Sequence, residues 1–243
     1  MPHPAIEIIG MTRTYAGPAP LRLQELTISS GDRCVISGLD RGAAEMFVLL
    51  VTGAAVPDEG VVRVDGRDTR DITTDTAWLS SLDRFGIVTE RAVLLDQLPI
   101  EANLALPLTL SIDPLAEAMR ARVAGLADDV QLMRSRLAAP ASTLTVEERV
   151  RVHLARALAA DPEVLLLEHP TAALTVAADR AAFGRTLRDV AERRGLAWVA
   201  LSDDLDFARA SGGTRLRLNR ATGQISGESF WRRLAAGVGH RAR

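Results

Sequence analysis

Residues 38–47, GLDRGAAEMF, lie between an apolar strand and an apolar helix, where a phosphate-binding loop would lie. A loop of the form G-x-x-x-x-G-K-[ST] binds phosphates through backbone N–H groups, a lysine that reaches the β- and γ-phosphates, and a hydroxyl that holds magnesium. Gly38 occupies the first position, whereas Ala43, Ala44 and Glu45 replace the second glycine, the lysine and the hydroxyl residue. The loop therefore has the location of a phosphate site without its side-chain ligands.

Arg41 is the one basic residue of this loop that could compensate in part for the missing lysine. The chain has 29 basic side chains, and every one of them is an arginine. Charge-assisted hydrogen bonds contribute about 1.5–3 kcal/mol each, so losing the lysine alone costs about 10- to 100-fold in nucleotide affinity. Asp40 and Glu45 add negative charge, and Arg41, beside Gly42, is expected to be exposed to solvent. We expect Asp40 or Glu45 to bind the free N–H groups at the start of the helix in place of a phosphate.

The composition restricts the classes of function. A chain of 243 residues, 47% hydrophobic and 25% charged, is long enough for one large core or two small ones. Its net charge of -2 and pI near 6.1 disfavour nucleic acid as a partner. The single cysteine, Cys34, excludes a disulfide within the chain and predicts a buried thiol in a reducing compartment. No stretch of about 18 apolar residues occurs, which predicts a cytoplasmic chain that reaches a membrane only through a partner.

Strands alternate with helices along the sequence, which favours an α/β fold with a sheet covered on both faces. The first two strands are predicted as a pair, and the third is a short buried strand that leads into the loop at Gly38. The predicted strands are residues 6–15, 21–28, 33–38, 61–66, 85–90, 164–169, 197–202 and 214–219. A helix is predicted to follow the loop and end near Gly53. Residues from about 98 to 158 are predicted to be helical, with prolines as breaks, and residues 176–194 form another predicted helix.

The order of these elements resembles that of the nucleotide-binding subunits of ABC transporters. The likeness covers nearly the whole chain and is most specific at residues 155–174, ARALAADPEVLLLEHPTAAL, while ALPLTL at 105–110 resembles the lipoprotein-releasing and macrolide-efflux branch. It implies an α/β, P-loop NTPase-like ABC ATPase fold with an antiparallel β subdomain and an inserted helical subdomain. It also implies one domain over residues 1–243, with a RecA-like core at about 1–90 and 160–227, helices at about 91–159, and a tail at about 228–243.

The resemblance also marks the positions where the family places catalytic groups, and this chain departs from the family at most of them. Glu90 replaces a glutamine that senses magnesium and the attacking water. Glu168 and His169 replace the Asp–Glu pair that holds magnesium and polarises the nucleophile. The other marked positions are Tyr15, which matches the aromatic residue that stacks on adenine, Thr175, where aspartate is expected, and Asp203, where the switch histidine is expected. Together these departures predict that hydrolysis is lost.

The family's signature segment, L-S-G-G-E/Q, is also altered. In the family it contacts nucleotide held by the opposite subunit. The corresponding residues are Leu144, Thr145, Val146, Glu147 and Glu148. Two β-branched side chains and an acid stand where bare backbone should approach the γ-phosphate. Because Thr145 and Glu148 have the spacing of a capping box, we expect the following helix to persist without its ligand contact.

Three classes of function fit these residues. The favoured class is a catalytically degenerate subunit, with little or no ATP hydrolysis, that needs no cofactor and binds ATP and Mg weakly at most. The alternative is an active but atypical ABC ATPase, with His169 as the base and Glu168 or Glu90 holding the metal. A third class is metal or ligand binding at Glu45, Glu90, Glu168, His169 and Asp203. Scattered acids explain that set better, so no metal site is predicted.

Residues 84–110 are the segment least altered relative to the family, in which this region receives a coupling helix of the membrane subunit. The predicted permease contacts are Glu90, Arg91, Val93, Leu94, Leu95, Leu98 and Ile100. They imply an integral-membrane ABC permease as partner, with an active ABC ATPase subunit or a second copy of this chain beside it, and no nucleic acid. The resulting location is peripheral, on the inner face of the membrane. Phe230 and Trp231 of the tail are predicted to pack on the domain.

Overall fold

Two β-sheets and seven α-helices organise residues 3–227, the part of the chain that the computed structural model describes. The strands are β1 (Ile6–Arg13), β2 (Leu21–Ile28), β3 (Arg33–Ser37), β4 (Glu59–Val64), β5 (Arg67–Asp68), β6 (Phe85–Val88), β7 (Val164–Glu168), β8 (Ala197–Leu201), β9 (Thr214–Leu218) and β10 (Ile225–Gly227). The helices are α1 (Arg41–Val51), α2 (Asp75–Leu82), α3 (Ile100–Ala105), α4 (Glu117–Asp129), α5 (Val146–Leu158), α6 (Ala177–Arg194) and α7 (Leu205–Ala210).

The two sheets differ in the direction of their strands. The smaller sheet is antiparallel, with the order β2-β1-β4-β5. The larger sheet has the order β10-β9-β3-β8-β7-β6, and all of its strands except β10 run parallel. Parallel strands need crossover connections, and α1, α6 and α7 lie in such connections. The loop at residues 38–40 thus follows β3 at the carboxyl edge of the parallel sheet.

Both faces of the larger sheet are buried, which explains why its central strands are continuous apolar runs. Along β7, Val164 and Leu166 belong to the core formed with α1 and the antiparallel sheet. The intervening Leu165 and Leu167 belong to the core formed with α3 to α6. This alternation follows from the period of two in a strand. The sheet therefore separates two hydrophobic cores, and α1 lies in the first of them.

Helices α3, α4 and α5 pack on one another between β6 and β7 in the chain. Helix α5 also lies close against β6 at Gly86, which has no side chain. A Cβ atom there would approach the carbonyl oxygen of Ala157 to 2.3 Å, so only glycine permits this approach. The contact fixes the C-terminal end of α5 relative to the parallel sheet.

The predicted fold class is confirmed by the structure, and differences are confined to details. Strands β1 and β2 pair as predicted, and α1 ends at Val51, with Thr52 as its C-cap, close to the predicted end near Gly53. No element was predicted for α2, and residues 98–158 are less continuously helical than predicted, because loops separate α3, α4 and α5. The boundaries of the subdomains remain a prediction. The predicted packing of Phe230 and Trp231 on the domain concerns residues outside the described range. No helix within residues 3–227 is both long and apolar enough to span a bilayer.

Candidate functional site

The start of α1 is capped by a carboxylate of its own chain. Asp40 is the N-cap residue, and its Oδ1 accepts a hydrogen bond of 2.8 Å from the backbone N–H of Ala43. This hydrogen bond, followed by the nearby Arg220, holds the pKa of Asp40 below its usual value. Asp40 therefore meets the positive end of the helix as expected. Glu45, the other candidate for this role, points elsewhere.

A second carboxylate binds the first residue of the loop. Asp203, after β8, accepts a hydrogen bond of 2.8 Å from the backbone N–H of Gly38. Gly38 has φ of +93° and lies so close to Leu218 that a Cβ atom would be 2.6 Å from its carbonyl oxygen. The position thus requires glycine for its backbone geometry alone. Two backbone donors of the loop, at positions 38 and 43, are accordingly bound by side chains of the same chain.

Tyr15 and Arg220 complete a network at the start of α1. Arg220 donates hydrogen bonds of 2.6 Å to Asp40 Oδ2 and 2.6 Å to the hydroxyl of Tyr15. The Tyr15 ring packs against the loop, because a Cβ atom at Gly42 would be 3.0 Å from its Cε2 atom. The aromatic residue that the resemblance assigns to adenine is therefore engaged with the loop itself. Arg220 was not found from the sequence, since nothing marks a residue 180 positions away as a partner of Asp40.

The two alanines that replace the glycine and lysine are part of the hydrophobic core. Ala43 and Ala44 are both 0% exposed and pack in the cluster of α1 and the antiparallel sheet. Glu45, in contrast, is partly exposed and forms an ion pair with Arg91. Position 44 therefore has no open space in front of it for a longer side chain.

Arg91 joins this face of α1 to the end of β7. Its guanidinium forms two hydrogen bonds to Glu168, 2.6 Å to Oε1 and 2.7 Å to Oε2, in addition to the pair with Glu45. The hydroxyl of Thr89 donates to Glu168 at 2.9 Å. Glu168 is buried, at 6% exposure, so this carboxylate needs the charge of Arg91. Sequence reasoning placed Arg91 only at the permease contact and missed this pairing.

His169 and Glu90, the other candidates for catalysis, do not converge on Glu168. His169 lies in the left-handed region at φ +41°, and its Nε2 atom is buried with no hydrogen-bond partner in the structure. Glu90 pairs with the exposed Arg41 at 3.1 Å, and Thr175 is exposed to solvent, with only its carbonyl bound by an arginine. Among residues 3–227, no group of histidine, cysteine and acidic residues is arranged to hold a metal ion.

The segment that replaces the signature retains its helix cap. Thr145 and Glu148 form the predicted capping box, with hydrogen bonds of 3.2 Å and 3.0 Å between side chain and backbone. Glu148 is held further by Arg136, while Leu144 is buried below the cap. The side chain of Val146 is 48% exposed, and Glu147 is half-buried at the first turn. The cap is thus present, and a branched apolar side chain stands at its surface.

The family model for "ABC transporter" matches residues 25–172, more than half of the chain. The chain belongs to the ABC transporter family. The match spans the loop at Gly38, the pair Glu168–His169 and the capped helix α5, so the residues described above are those of an ABC ATP-binding domain.

Curated relatives of this ABC domain are ATP-binding proteins of methionine import. "Methionine import ATP-binding protein MetN" of Brucella abortus (strain 2308) is 29% identical over 206 residues, which cover 85% of this chain and 55% of that protein. "Methionine import ATP-binding protein MetN 2" of Burkholderia mallei (strain ATCC 23344) is 33% identical over 211 residues, covering 85% and 52%. The chain thus spans about half the length of the curated relatives it matches.

Solved structures confirm the fold of the ABC domain. The "ATP-binding cassette MJ0796 bound to ADP and Pi" matches with a TM-score of 0.72 at 23% identity, over 91% of this chain and 98% of that one. The structure of "cbiO1 from clostridium perfringens" matches with a TM-score of 0.77 at 17% identity, over 98% and 96%. The expected ABC ATPase fold is therefore confirmed.

Two of the predicted permease contacts after β6 need a correction. Leu94 and Ile100 are 4% and 0% exposed and belong to the core formed with α3 to α6, so they do not line a surface of the ABC domain. They are buried because the segment turns inward before α3. Val93 and Leu95 are exposed, at 74% and 47%, and Leu98 is half-buried. The candidate contact surface is therefore smaller than the sequence predicted.

A cleft of about 180 Å³ opens between the end of β6 and helix α5 of the ABC domain. Its walls are mainly apolar, and its polar residues include Arg149 and His153. The Nδ1 atom of His153 is buried with no hydrogen-bond partner in the structure. Burial, followed by the charges of Arg156 and Arg149, lowers the pKa of His153 to about 4. His153 is therefore neutral at physiological pH, and its side chain acts as part of the apolar wall.

This low pKa predicts a loss of stability in mild acid. Between about pH 6.5 and pH 4 the unfolded chain binds a proton at His153 that the folded chain excludes, so the free energy of unfolding falls as pH falls through this window. We expect a loss of about 2 kcal/mol, allowing for the partial exposure of the ring, and no further loss from this residue below pH 4. Urea unfolding at several pH values measures it.

His153→Gln should remove this part of the pH dependence. His3→Gln, at an exposed position, is the matched control and should retain it. If the free energy of unfolding falls equally with pH in wild type and His153→Gln, another group causes the loss of stability in acid.

Proposed function

We propose that this chain is a catalytically degenerate ABC ATP-binding-type subunit with little or no ATP hydrolysis, a structural or regulatory partner of a membrane permease. The proposal rests on the hydrogen bonds that side chains of this chain make to the backbone of the loop. Asp203 and Asp40 accept hydrogen bonds from the N–H groups of Gly38 and Ala43, which belong to the loop that would bind phosphates. A phosphate would have to displace two carboxylates and then remain beside them.

The remaining residues of the loop support the same function. A phosphate-binding loop supplies a lysine and a hydroxyl, whereas Ala44 is buried in the core and Glu45 adds a negative charge. Arg41 is largely exposed and is paired with Glu90. No cofactor is required by this function, and ATP with Mg binds weakly at most.

The proposal predicts that the purified chain neither binds Mg-ATP appreciably nor hydrolyses it. Titration calorimetry should give no saturable heat at nucleotide concentrations below about 1 mM, because the lysine is absent and two loop donors are already occupied. Phosphate release should equal that of a buffer blank. Since contaminating ATPases are a common artefact, His169→Ala serves as a matched control with the same purification.

The alternative is an active ABC ATPase of atypical chemistry, with His169 as the base. The buried, unpartnered Nε2 atom of His169 is the observation that favours it. An imidazole is the side chain that most often serves as a general base, and His169 places one at the end of β7. Turnover that disappears in His169→Ala would establish this alternative and refute the degenerate subunit.

We further propose an integral-membrane ABC permease as the partner, contacted through Val93 and Leu95. Both are exposed apolar side chains on a loop that also carries charged residues, among them Glu90 and Asp96. Such a surface suits the apolar stripe of an amphipathic helix. The cbiO1 protein of Clostridium perfringens is part of an ABC transporter complex, cbiONQ, which supports the same kind of assembly. The chain would then be cytoplasmic and peripheral on the inner face of the membrane.

In this assembly a second ATP-binding-type subunit would lie beside this chain. It is either an active ABC ATPase or another copy of this chain. An exposed Val146 where the signature backbone should be bare argues against clamping of a partner's nucleotide by this chain. The likeness of residues 105–110 to the lipoprotein-releasing and macrolide-efflux branch remains a prediction, since the relatives named above belong to methionine import.

A further inference from the structure

The segment between β6 and α3, residues 89–98, is anchored to the rest of the domain at several points, three of which hold residues 91–95. At its start, Arg91 binds Glu168 and Glu45. In its middle, Arg156 donates a hydrogen bond of 2.7 Å to the carbonyl oxygen of Val93. At Leu95, both backbone groups are bound by one amide side chain, described next. The exposed apolar residues Val93 and Leu95 thus lie on a loop with fixed ends.

The amide that binds Leu95 belongs to Asn103 of α3, which is 0% exposed. Its Oδ1 accepts from Leu95 N at 2.8 Å, and its Nδ2 donates to Leu95 O at 3.0 Å. Buried and fully hydrogen-bonded, this side chain replaces a backbone partner for the loop. It ties the loop to the helices, whereas Arg91 ties the loop to α1 and β7.

The contact of Arg91 differs from the other two because it compensates buried charge. Glu168 is buried, and Glu45 approaches the same guanidinium from α1. Without a cation between them, these carboxylates would repel each other, and Glu168 would carry an unpaired buried charge. The chain supplies this cation itself, from the loop that presents Val93 and Leu95.

We propose that Arg91 is a positioning residue, an internal counter-ion that holds residues 89–95 against α1 and β7. The arrangement of Val93 and Leu95 is then a constant property of the chain. This inference rests on the proposed function only in assigning a permease to that surface, because the role of Arg91 can be measured on the isolated chain.

Amide hydrogen exchange of residues 89–95 tests this role. Arg91→Ala should accelerate exchange there by about tenfold, because the loop loses its anchor at α1 and β7. Arg122→Ala is the matched control, since Arg122 is similarly exposed and also pairs with a carboxylate, that of Asp161, outside the loop. Mg-ATP should leave exchange in the wild-type loop unchanged. Unchanged exchange in Arg91→Ala would overturn the proposal.

A double substitution distinguishes charge compensation from packing. If Arg91 acts as a counter-ion, Glu168→Gln in the Arg91→Ala background removes the unpaired charge and should recover part of the lost Tm. If the decreases in Tm of the two single variants simply add in the double variant, the counter-ion role is wrong.

The two proposals fail separately. If the wild type binds Mg-ATP, and Arg91→Ala still accelerates exchange in residues 89–95, the proposed function is wrong. The role of Arg91 then stands, provided that ATP does not alter exchange in the wild-type loop. If the wild type binds no nucleotide, and Arg91→Ala leaves exchange in residues 89–95 unchanged, only the role of Arg91 is wrong.

Discussion

Replacing Ala44 with lysine, which restores the most characteristic residue of a phosphate loop, is expected to lower the free energy of unfolding by about 3 kcal/mol or more. Ala44 is 0% exposed and lies in the core between α1 and the antiparallel sheet. A lysine there must either bury its ammonium without a partner or push α1 away from its neighbours. Denaturant unfolding of the single variant measures the loss.

Ala44→Met separates charge from volume in this experiment. Methionine has nearly the length of lysine without its charge, so it should be destabilising by about 1–3 kcal/mol through overpacking alone. Adding Ala43→Gly and Glu45→Ser to Ala44→Lys completes the loop motif, and we still expect no steady-state ATPase activity, because Glu168, His169 and the signature segment are unchanged. A stable Ala44→Lys variant that binds Mg-ATP would show that position 44 accommodates a lysine, whereas steady-state ATPase activity of the triple variant would show that the degenerate function is wrong.

Val93→Asp and Leu95→Asp, combined, should abolish co-purification of the chain with its permease while leaving the fold intact. Both side chains are exposed, so the charges cost little in the free chain. Against an apolar helix they must be desolvated, which predicts a loss of about 2 kcal/mol or more, or about 30-fold in affinity. Affinity capture from detergent-solubilised membranes, with and without ATP, measures the loss, and the wild-type complex should be insensitive to ATP.

Leu79→Asp is the control for a charge placed on an exposed leucine of α2. It should retain the permease at the wild-type ratio. Leu94→Asp is not a suitable probe, because Leu94 is buried and the variant should unfold. Full retention by the folded double variant would move the contact away from this loop, and absence of any membrane partner for the wild type would refute the assembly itself.

The sequence predicted the fold class and the helix caps because these depend on local patterns. The apolar runs of β3 and β7, the cap at Asp40 and the capping box at Thr145 each involve residues close together in the chain. Such features follow from periodicity and backbone geometry.

The partners of the site residues were not predictable in the same way. Arg220 reaches Asp40 across 180 residues, and Arg91 reaches Glu168 across 77. Because the chain contains 29 arginines, composition offers no way to choose among them. Leu94 and Leu95 are adjacent and identical in type, yet one is buried and the other exposed, since an irregular loop has no period from which to assign a face.

The order of strands in the large sheet has a consequence for the synthesis of this protein. Strand β3, near the start of the chain, pairs with β8 and β9 on its two sides, at contacts such as Val35 with Ala200 and Arg215. Pairings so distant in sequence form slowly, and unpaired apolar strands aggregate. Both edges of β3 therefore stay open on the ribosome until residues 197–218 have emerged. A nascent chain stopped before β8 has neither neighbour for β3, and the loop at Gly38 then has no sheet to support it.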